Sequence, residues 1–493
     1  MIGINDQILV RQNKLKTIVN SGKLAYPHKF EQKQTIKEIK DNFNAYLDSA
    51  QSIKTTGRIS RIARKGKISF FGILDDGWEI QLICSRDKTD DYTDIKLLDR
   101  GDFVGIDGTC YVTNSGELSI YVSKYEILSK SLRPLPTPKT VIDKDGNKMV
   151  YDDFSNKELR YRNRSLDLIL NKETRNTFIT RTRIISSIRE YLNNKGYLEV
   201  QTPILQNQYG GANAQPFLTK FNSLDMDVFL RISNELYLKQ CIMGGLNRVY
   251  EIGKDFRNEG IDRTHNPEFT MIEFYEAYAD YKDMMVHFEN IFYETAMKLF
   301  GTSVITYEGT SIDLQTPWRR MTFFEAITTY TEISPETCSR DELLLFLEKE
   351  EIEQNSEDTM GELWIKVFEE LVESKLIQPH IIYDYPKEST PLCKSHRDNP
   401  DLVEQFEPYI NGWEMGNAYT ELNDPIRQRQ LFSNQSDKGR GGEQDHPIDE
   451  SFLEAMEYGM PPTGGVGIGI DRLVMLFTNS KHIKDVILFP LMK

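Results

Sequence analysis

The feature that most constrains this chain is a series of short alternating segments between residues 53 and 128. Apolar and polar residues alternate in five runs, and turn sequences such as Asp-Asp-Gly at 75–77 separate them. The runs cover residues 55–62, 68–74, 79–83, 103–112 and 118–127. Alternation with a period of two predicts strands with one buried face, and five such strands close together predict a small β-barrel.

A proline-alternating stretch at 132–138 follows the strands and predicts a stiff, extended spacer. The chain has 493 residues, too many for one ordinary core. We therefore predict a helical segment at 1–50, the barrel at 51–131, a linker at 132–165 and a second domain at 166–493. The second domain begins with an amphipathic helix near 174–194 and carries an acidic helical insertion at about 334–376, where Ser339 and Glu342 form a predicted capping box. The predicted fold class is α+β.

Composition narrows the function classes. The formal charge of −15 argues against a general nucleic-acid binder, but residues 1–150 hold 24 Lys and Arg against 19 Asp and Glu. A mildly basic end on an acidic body fits local RNA contact, although ordinary variation between domains explains it equally well. The five scattered cysteines predict free thiols and a cytoplasmic location, and we expect neither a secretory signal nor a membrane span.

Three polar constellations occur in order along the second domain. The first, KGYLEVQTPIL at 195–205, is by itself an ordinary helix–strand junction. The second combines FRNE at 256–259 with HNPEFTMIEFY at 265–275, where Arg257 and Glu259, and likewise Glu273 and Tyr275, would share one face of a strand. A solvated sheet face would give the same alternation.

The third constellation is GVGIGIDR at 465–472. Its spacing matches neither a dinucleotide-binding fingerprint nor a P-loop, and no P-loop lysine follows. Glycine at alternate positions strips one strand face of side chains, which leaves a flat surface for a planar base, with Arg472 beyond it to meet a base or a phosphate. Alone, this signal is weak.

Taken together, the three constellations resemble motifs 1, 2 and 3 of the class II aminoacyl-tRNA synthetases. The preceding barrel resembles the OB-type anticodon-binding domain of the lysine/aspartate/asparagine subgroup. Within the subgroup, the resemblance is to the lysine enzymes, on RISNELYLK at 231–239, HNPEF at 265–269 and GNAYTELNDP at 416–425. It implies a catalytic domain with an antiparallel sheet flanked by helices, and a homodimer built through motif 1.

The resemblance also implies roles for residues of the second domain. Arg257 would contact the α-phosphate of ATP and the amino-acid carboxylate, and Arg472 the γ-phosphate; both are the candidate catalytic residues. Phe269 would lie under adenine, with Glu259, His265 and Asn266 around the nucleotide. Glu407 and Glu414 match carboxylates that bind Mg²⁺.

For the amino acid, the resemblance implies a pocket that accepts lysine. Glu421 and Tyr275 would hold the ε-ammonium, and Glu235 with the Gly211 carbonyl the α-amino group. The remaining lysine-binding candidates are Arg257, Glu273, Asn417 and Tyr419. A buried ammonium needs carboxylate partners, and these are left unpaired by an uncharged substrate, which gives selectivity. Any one of these glutamates taken alone could equally be a surface charge.

In the barrel, Phe70, Gln81 and Glu117 match residues that bind a uridine-rich anticodon, which makes lysine tRNA the expected RNA partner. An aromatic ring can stack on a splayed base while polar groups test its edge. A buried core phenylalanine is an equally good interpretation of Phe70. Nearby cations that could engage phosphate are Arg58, Arg61, Arg64, Lys65 and Lys67.

The chain departs from the family pattern at several positions. Many relatives have arginine where Gln215 stands, proline at Asn234 and alanine at Gly464, and basic residues where Ile62 and Ala63 lie. Three rival functions remain open: an aspartate or asparagine enzyme of the same subgroup, a paralogue that transfers lysine to a protein, and a non-catalytic RNA-binding protein on the same scaffold.

Overall fold

The computed structural model describes residues 4–136, 139–142, 148–151, 154–437 and 448–493. The chain divides into two compact units, Met1–Lys172 and Glu173–Lys493. The predicted linker at 132–165 falls within the first unit.

The first unit contains a helical N-terminal segment, a barrel, a short hairpin and two short helices. Its helices are α1 (Ile4–Asn20), α2 (Ile36–Asp41), α3 (Phe43–Ser49), α4 (Lys157–Arg162) and α5 (Arg164–Leu170), with a 3₁₀ turn at Tyr92–Leu97. Its strands are β1 (Ser52–Lys65), β2 (Ile68–Asp75), β3 (Trp78–Ser85), β4 (Phe103–Val112), β5 (Leu118–Ser129), β6 (Lys139–Ile142) and β7 (Lys148–Tyr151).

Strands β1 to β5 form a closed barrel in the order β1-β2-β3-β5-β4. Along β1, buried residues alternate with partly exposed ones from Ile53 to Ile59, as the sequence predicted. The inward side chains, including Phe71, Ile73, Leu82 and Val104, share one core with α1, α2 and α3. The predicted barrel is therefore confirmed.

The second unit surrounds a large sheet with helices. Its helices are α6 (Lys172–Asn194), α7 (Glu235–Met243), α8 (Tyr281–Phe300), α9 (Phe323–Tyr330), α10 (Arg340–Lys349), α11 (Met360–Leu371), α12 (Pro425–Asp437), α13 (Glu450–Glu457), α14 (Ile470–Phe477) and α15 (Ile483–Val486), with a 3₁₀ turn at Glu373–Lys375. Its strands are β8 (Leu198–Glu199), β9 (Leu205–Gln206), β10 (Phe217–Phe221), β11 (Met226–Leu230), β12 (Arg248–Phe256), β13 (Glu268–Ala277), β14 (Val304–Tyr307), β15 (Thr310–Asp313), β16 (Arg319–Thr322), β17 (His380–Pro386), β18 (Leu402–Ile410), β19 (Trp413–Glu414), β20 (Gly416–Thr420) and β21 (Thr463–Gly469).

The main sheet has the order β16-β17-β18-β20-β21-β13-β12-β8, with β19 paired to β18. The pairings from β17 to β12 are antiparallel, as predicted. Both outer pairs, β16 with β17 and β12 with β8, are parallel, so the sheet is mixed. The sequence gives no local sign of this, because strand direction depends on the intervening connections.

One side of the sheet packs against α6, α8 and α14 around residues such as Ile188, Phe288, Phe292 and Leu473. The acidic segment at 334–376 contains α10 and α11, which bury Leu343, Leu347 and Trp364 in a separate cluster with α9. Ser339 and Glu342 form the predicted capping box at the start of α10. These two cores hold the sheet rigidly, so that its central strands can position polar side chains.

Candidate functional site

A cavity of about 470 Å³ lies over the central strands of the second unit. Side chains from β13, β20 and β21 form its base, and the start of α7, the chain after β12 and the start of α14 form its walls. It brings together most of the residues predicted from the sequence, namely Gly211, Glu235, Arg257, Glu259, His265, Asn266, Phe269, Glu273, Tyr275, Glu414, Asn417, Tyr419, Glu421 and Arg472.

The glycines of β21 make room for the side chains of its neighbours. Gly465 pairs with Tyr275 and Gly467 pairs with Glu273 across the sheet. A Cβ at Gly465 would overlap the carboxylate of Glu421 and the ring of Tyr275, whereas a Cβ at Gly469 would meet nothing. The sequence predicted a flat glycine surface for a planar base. In the structure, pocket side chains occupy this surface at Gly465, and it is open only towards Gly469.

One end of the cavity is acidic. Glu235, Glu273 and Glu421 are each 6% exposed or less, although carboxylates are seldom buried without partners. Glu273 accepts hydrogen bonds from the hydroxyls of Ser233 at 3.1 Å and Tyr275 at 2.9 Å. Three carboxylates in one buried region create a strong demand for positive charge.

The pKa values reflect that demand. Burial raises the pKa of the Glu273 carboxyl to about 8, and the negative charges of Asp255 and Glu235 add to the rise. Burial likewise raises the pKa of Glu421 to about 8, although its ion pair with Lys239 acts in the opposite direction. Carboxyl groups with perturbed pKa values in a cavity mark a candidate functional site.

The other end of the cavity carries arginine and an aromatic ring. The guanidinium of Arg257 lies over the ring of Phe269, 5.2 Å from its centroid. In the part of the chain that the structure describes, the buried Nε of Arg257 has no hydrogen-bond acceptor. Arg257 lines the cavity, and a guanidinium with an unpaired donor is suited to bind an anion.

Arg472, at the start of α14, belongs to a chain of polar contacts. Its guanidinium donates to the Glu414 carbonyl at 2.6 Å and lies 2.8 Å from Nε2 of His265. The other ring nitrogen of His265 lies 2.7 Å from the carboxylate of Asp262, whose pKa falls to about 2 because backbone amides and the imidazole donate to it. Asp471 holds this corner together by accepting from Arg181 and from the Thr270 amide.

The predicted metal carboxylates differ in position. Glu414 lines the cavity, whereas Glu407 lies on β18 beside it and accepts hydrogen bonds from Tyr385, Tyr409 and Gln405. Burial and the charge of Glu414 raise the pKa of Glu407 to about 8. Within the described residues, no group of three or more His, Cys, Asp or Glu side chains surrounds a common point.

One prediction about local structure was wrong. Arg257 and Glu259 do not share a strand face, because β12 ends at Phe256 and both residues lie in the following loop. Both still reach the cavity, and Glu259 accepts a hydrogen bond from the Gln215 amide at 3.3 Å. Glu273 and Tyr275 do lie on one face of β13, as predicted.

A second concave surface, which we call the barrel groove, lies on the first unit. Its volume is about 430 Å³, and its lining includes Lys40, Arg61, Trp78, Gln81 and Glu117. Arg61 lies 3.4 Å from the Glu117 carboxylate, and Gln81 donates to Ser119 at 3.0 Å. Gln81 and Glu117 therefore line the same groove.

Phe70 stands apart from that lining. It is half-buried on β2, where it pairs with Ala63 and Ile83. Gly72 lies two positions further along β2 and pairs with Gln81. Phe70 therefore shares a sheet face with Gln81. Of the predicted phosphate-binding cations, Arg58 lies over the Phe103 ring and Arg64 donates to the Ile95 and Leu98 carbonyls, so both are engaged within the barrel.

The sequence analysis missed several residues that shape the two sites. Lys239 and Ser233 contact the acidic carboxylates, Asp262 holds His265, and Trp78 and Lys40 line the barrel groove. Lys239 follows Glu235 by four residues, and on a helix that spacing would have signalled the ion pair. The others depend on contacts between distant segments.

The cavity and barrel define an aminoacylating synthetase of class II, and comparison with known proteins agrees. The family model described as "tRNA synthetases class II (D, K and N)" matches residues 156–493, and an OB-fold nucleic acid binding domain matches residues 53–128. The chain belongs to this class II synthetase family.

Several full-length relatives carry one name. The lysine–tRNA ligase of Carboxydothermus hydrogenoformans is 45% identical over 99% of this chain and 98% of the relative. Those of Clostridium acetobutylicum and Methanoculleus marisnigri are 45% and 44% identical, over 99% and 98% of this chain and 94% of each relative. No helix among the described residues is long and apolar enough to cross a membrane.

Proposed function

We propose that this chain is a lysine–tRNA ligase, which activates L-lysine with ATP and transfers it to lysine tRNA. The observation that carries the proposal is the pairing of three buried carboxylates at one end of the cavity with two arginines at the other. The acidic end suits the ammonium groups of lysine, and the arginines suit a carboxylate and phosphates. The similarity to lysine–tRNA ligases over nearly the whole chain supports the same conclusion.

In the first step, a lysine carboxylate oxygen attacks the α-phosphorus of ATP, and the bond from that phosphorus to the bridging oxygen of pyrophosphate breaks. The carboxylate is already ionised at neutral pH, so the step needs no general base. The barrier comes from bringing two anions together and from charge that builds on the phosphoryl oxygens. Arg257, with its unpaired Nε, would hold the lysine carboxylate and α-phosphate, and Arg472 would hold the γ-phosphate.

The surroundings of the two arginines support a nucleotide site. Phe269 offers a face on which adenine can stack, and Glu259 and Asn266 line the same region. His265 is held by Asp262 and lies against Arg472, so that it would keep the guanidinium directed at the phosphates. In the second step, a ribose hydroxyl at the tRNA end attacks the carbonyl carbon of the adenylate, and AMP leaves.

Lysine selection follows from the acidic end. We assign the ε-ammonium to Glu421 and Tyr275 and the α-amino group to Glu235 and the Gly211 carbonyl. Glu273 would line the pocket, Asn417 would lie near the substrate carboxylate, and Tyr419 would pack along the aliphatic stem. In an aspartate or asparagine enzyme the substrate side chain would bring no cation to these buried carboxylates, of which Lys239 neutralises only one, and this disfavours that alternative.

Mg²⁺ is the proposed metal. Glu407 and Glu414 would hold it. Burial and the charge of Glu414 raise the pKa of Glu407, and a bound divalent cation would relieve the repulsion between the two carboxylates. Phosphate oxygens and water would supply further oxygen ligands, which Mg²⁺ favours. Bound there, the metal would neutralise phosphate charge.

The barrel groove is the proposed anticodon site. Gln81 and Glu117 can test base edges, and Phe70 on the same sheet face can stack on a base. We also propose a homodimer through the motif 1 segment, which exposes the apolar side chains of Leu198, Ile204 and Leu205. Light scattering that gives the mass of a single chain at micromolar concentration would contradict the dimer.

The deciding experiment is ATP–pyrophosphate exchange with purified protein and Mg²⁺, followed by charging of lysine tRNA. We expect exchange that requires lysine and is not supported by aspartate or asparagine. Exchange with aspartate instead would favour the other members of the subgroup. Lysine-dependent exchange without tRNA charging would favour a lysine-transferring paralogue, and the absence of exchange would favour a non-catalytic RNA-binding protein.

A further inference from the structure

A buried cation next to the acidic end of the cavity has no part in the function proposed above. Lys239 lies on α7, one helical turn after Glu235, and its side chain is fully buried. Its ammonium forms ion pairs with both Glu235 and Glu421. Since Glu421 follows β20, one lysine links carboxylates from two separate elements.

We propose that Lys239 is a positioning residue that ties Glu235 to Glu421 and so sets the spacing and the net charge of the lysine pocket. The inference rests on the proposed function, because these two glutamates are the groups assigned to the α-amino group and the ε-ammonium of lysine. Lys239 would act through them and would not touch the substrate itself.

The first argument is charge balance. Three carboxylates, Glu235, Glu273 and Glu421, surround the acidic end, and Lys239 cancels one of their charges. The remaining two negative charges equal the two ammonium groups of a bound lysine. Without Lys239, one buried negative charge would stay unmatched when lysine binds, and uncompensated buried charge is costly.

The other charged groups near Lys239 have partners other than Lys239. Arg231 is paired with both Glu251 and Asp255 behind the pocket, and the negative charge left over in this trio is opposed by Arg257. Glu404 is paired with Arg397. The neutral neighbours stay neutral because burial raises the pKa of each: Tyr275, Cys393 and Tyr419.

The second argument is spacing. Because Glu235 and Glu421 share one ammonium, they cannot move independently of each other. The distance between the two carboxylates is then fixed, and it fits a substrate side chain of only one length. Ornithine, which is shorter than lysine by one methylene, would have to stretch between them, and rigid sites discriminate best against such analogues.

The test uses the full-length protein with Lys239→Met, which keeps the volume and removes the charge, and with Lys239→Arg, which keeps the charge and changes the head group. Lys394→Met is the matched control, since Lys394 is a partly buried lysine that pairs with neutral Asn423. Exchange kinetics would give kcat and KM for lysine, ATP and ornithine, each from pH 6 to pH 9.

For Lys239→Met we expect a lysine KM raised about thirtyfold with the ATP KM within about twofold, since only the amino-acid pocket loses its charge balance. The preference for lysine over ornithine should fall about tenfold. The acid limb of kcat/KM for lysine should move to higher pH, because the positive charge that opposes protonation of Glu421 is gone. Lys239→Arg should keep the wild-type pH limb, and Lys394→Met should behave as wild type.

An unchanged lysine KM and ornithine preference in Lys239→Met would overturn the inference, as would equal losses for lysine and ATP without a pH shift. If Lys239→Met does not fold, an unchanged ornithine preference in Lys239→Arg would overturn it. Wild-type protein without lysine-dependent exchange would refute the proposed function instead, so the two failures are distinguishable.

Discussion

The cavity of the second unit and the barrel groove of the first unit both contain paired charges, but in opposite surroundings. Glu421 in the cavity is 1% exposed, whereas the Arg61 and Glu117 side chains of the groove are 56% and 52% exposed. Charges in a dry cavity interact strongly and are costly to leave unpaired, and exposed pairs contribute little and are screened by salt. Selection of the amino acid should therefore depend on single charges, and selection of the tRNA on several weak contacts.

The largest effect should come from the cavity. Glu421→Gln removes the charge that faces the ε-ammonium and leaves that cation buried against a neutral amide. A loss of about 3 kcal/mol, or roughly 150-fold in kcat/KM for lysine, is expected from a broken buried pair. Exchange kinetics should show the ATP KM nearly unchanged. Equal losses for lysine and ATP would mean that Glu421 supports the fold and not the pocket.

The next largest effect should come from the barrel groove and should leave the cavity unaffected. Phe70→Ala removes a stacking surface worth about 2 kcal/mol per base, so the KM for tRNA should rise about thirtyfold. Lysine-dependent exchange without tRNA should stay within about twofold of wild type. Ile73→Ala, which truncates a fully buried side chain on the same strand, is the matched control for destabilisation of the barrel. A loss of exchange in Phe70→Ala would contradict the assignment.

Changing the pH should affect the cavity more than the groove. The pKa values of Glu273 and Glu421 are raised to about 8 in the free protein, so below that pH the carboxyls are increasingly protonated. Because cationic lysine needs them ionised, kcat/KM for lysine should fall on acidification, by about tenfold per pH unit if one carboxyl titrates and up to about a hundredfold if both do. A profile that is flat from pH 8 to pH 6 would show that these carboxyls do not bind the substrate ammonium groups.

Raising the salt concentration should affect the groove more than the cavity, and its effect should be smaller than those of the two substitutions and of the pH change. If Lys40 and Arg61 of the groove make two phosphate contacts, doubling the salt concentration should weaken tRNA binding about threefold. The lysine KM should hardly change, since buried pairs are little screened. Filter binding of tRNA and exchange kinetics in the same buffers would compare the two, and a lysine KM that is the more salt-sensitive would reverse the comparison.

Much of the fold could be predicted because the signals are local. The period of two in the barrel strands, the amphipathic helix α6 and the capping box at Ser339 each depend on neighbouring residues, and the structure agrees with all three. The parallel pairs at the edges of the large sheet could not be predicted, since β16 and β17 are joined through the whole helical insertion.

Less of the site than of the fold could be predicted from local patterns in the sequence. The resemblance to a known family led to the residues that line the cavity, but their binding roles stay predictions. Alternation suggested a strand at Arg257 and Glu259, and the two residues lie in a loop because β12 ends first. At Asn234, where many relatives have proline, the side-chain amide can donate to both oxygens of Glu273, at 2.8 and 3.1 Å, a contact that no sequence pattern reveals.

The most direct test is calorimetric titration of the wild-type protein with lysine and with norleucine, which has the same carbon chain without the ε-ammonium. If buried carboxylates select the cation, lysine should bind at least about 100-fold more tightly, because norleucine brings no ε-ammonium and leaves one buried negative charge of the pocket unmatched. Binding of the two amino acids within a few-fold of each other would show that the acidic end of the cavity does not recognise lysine.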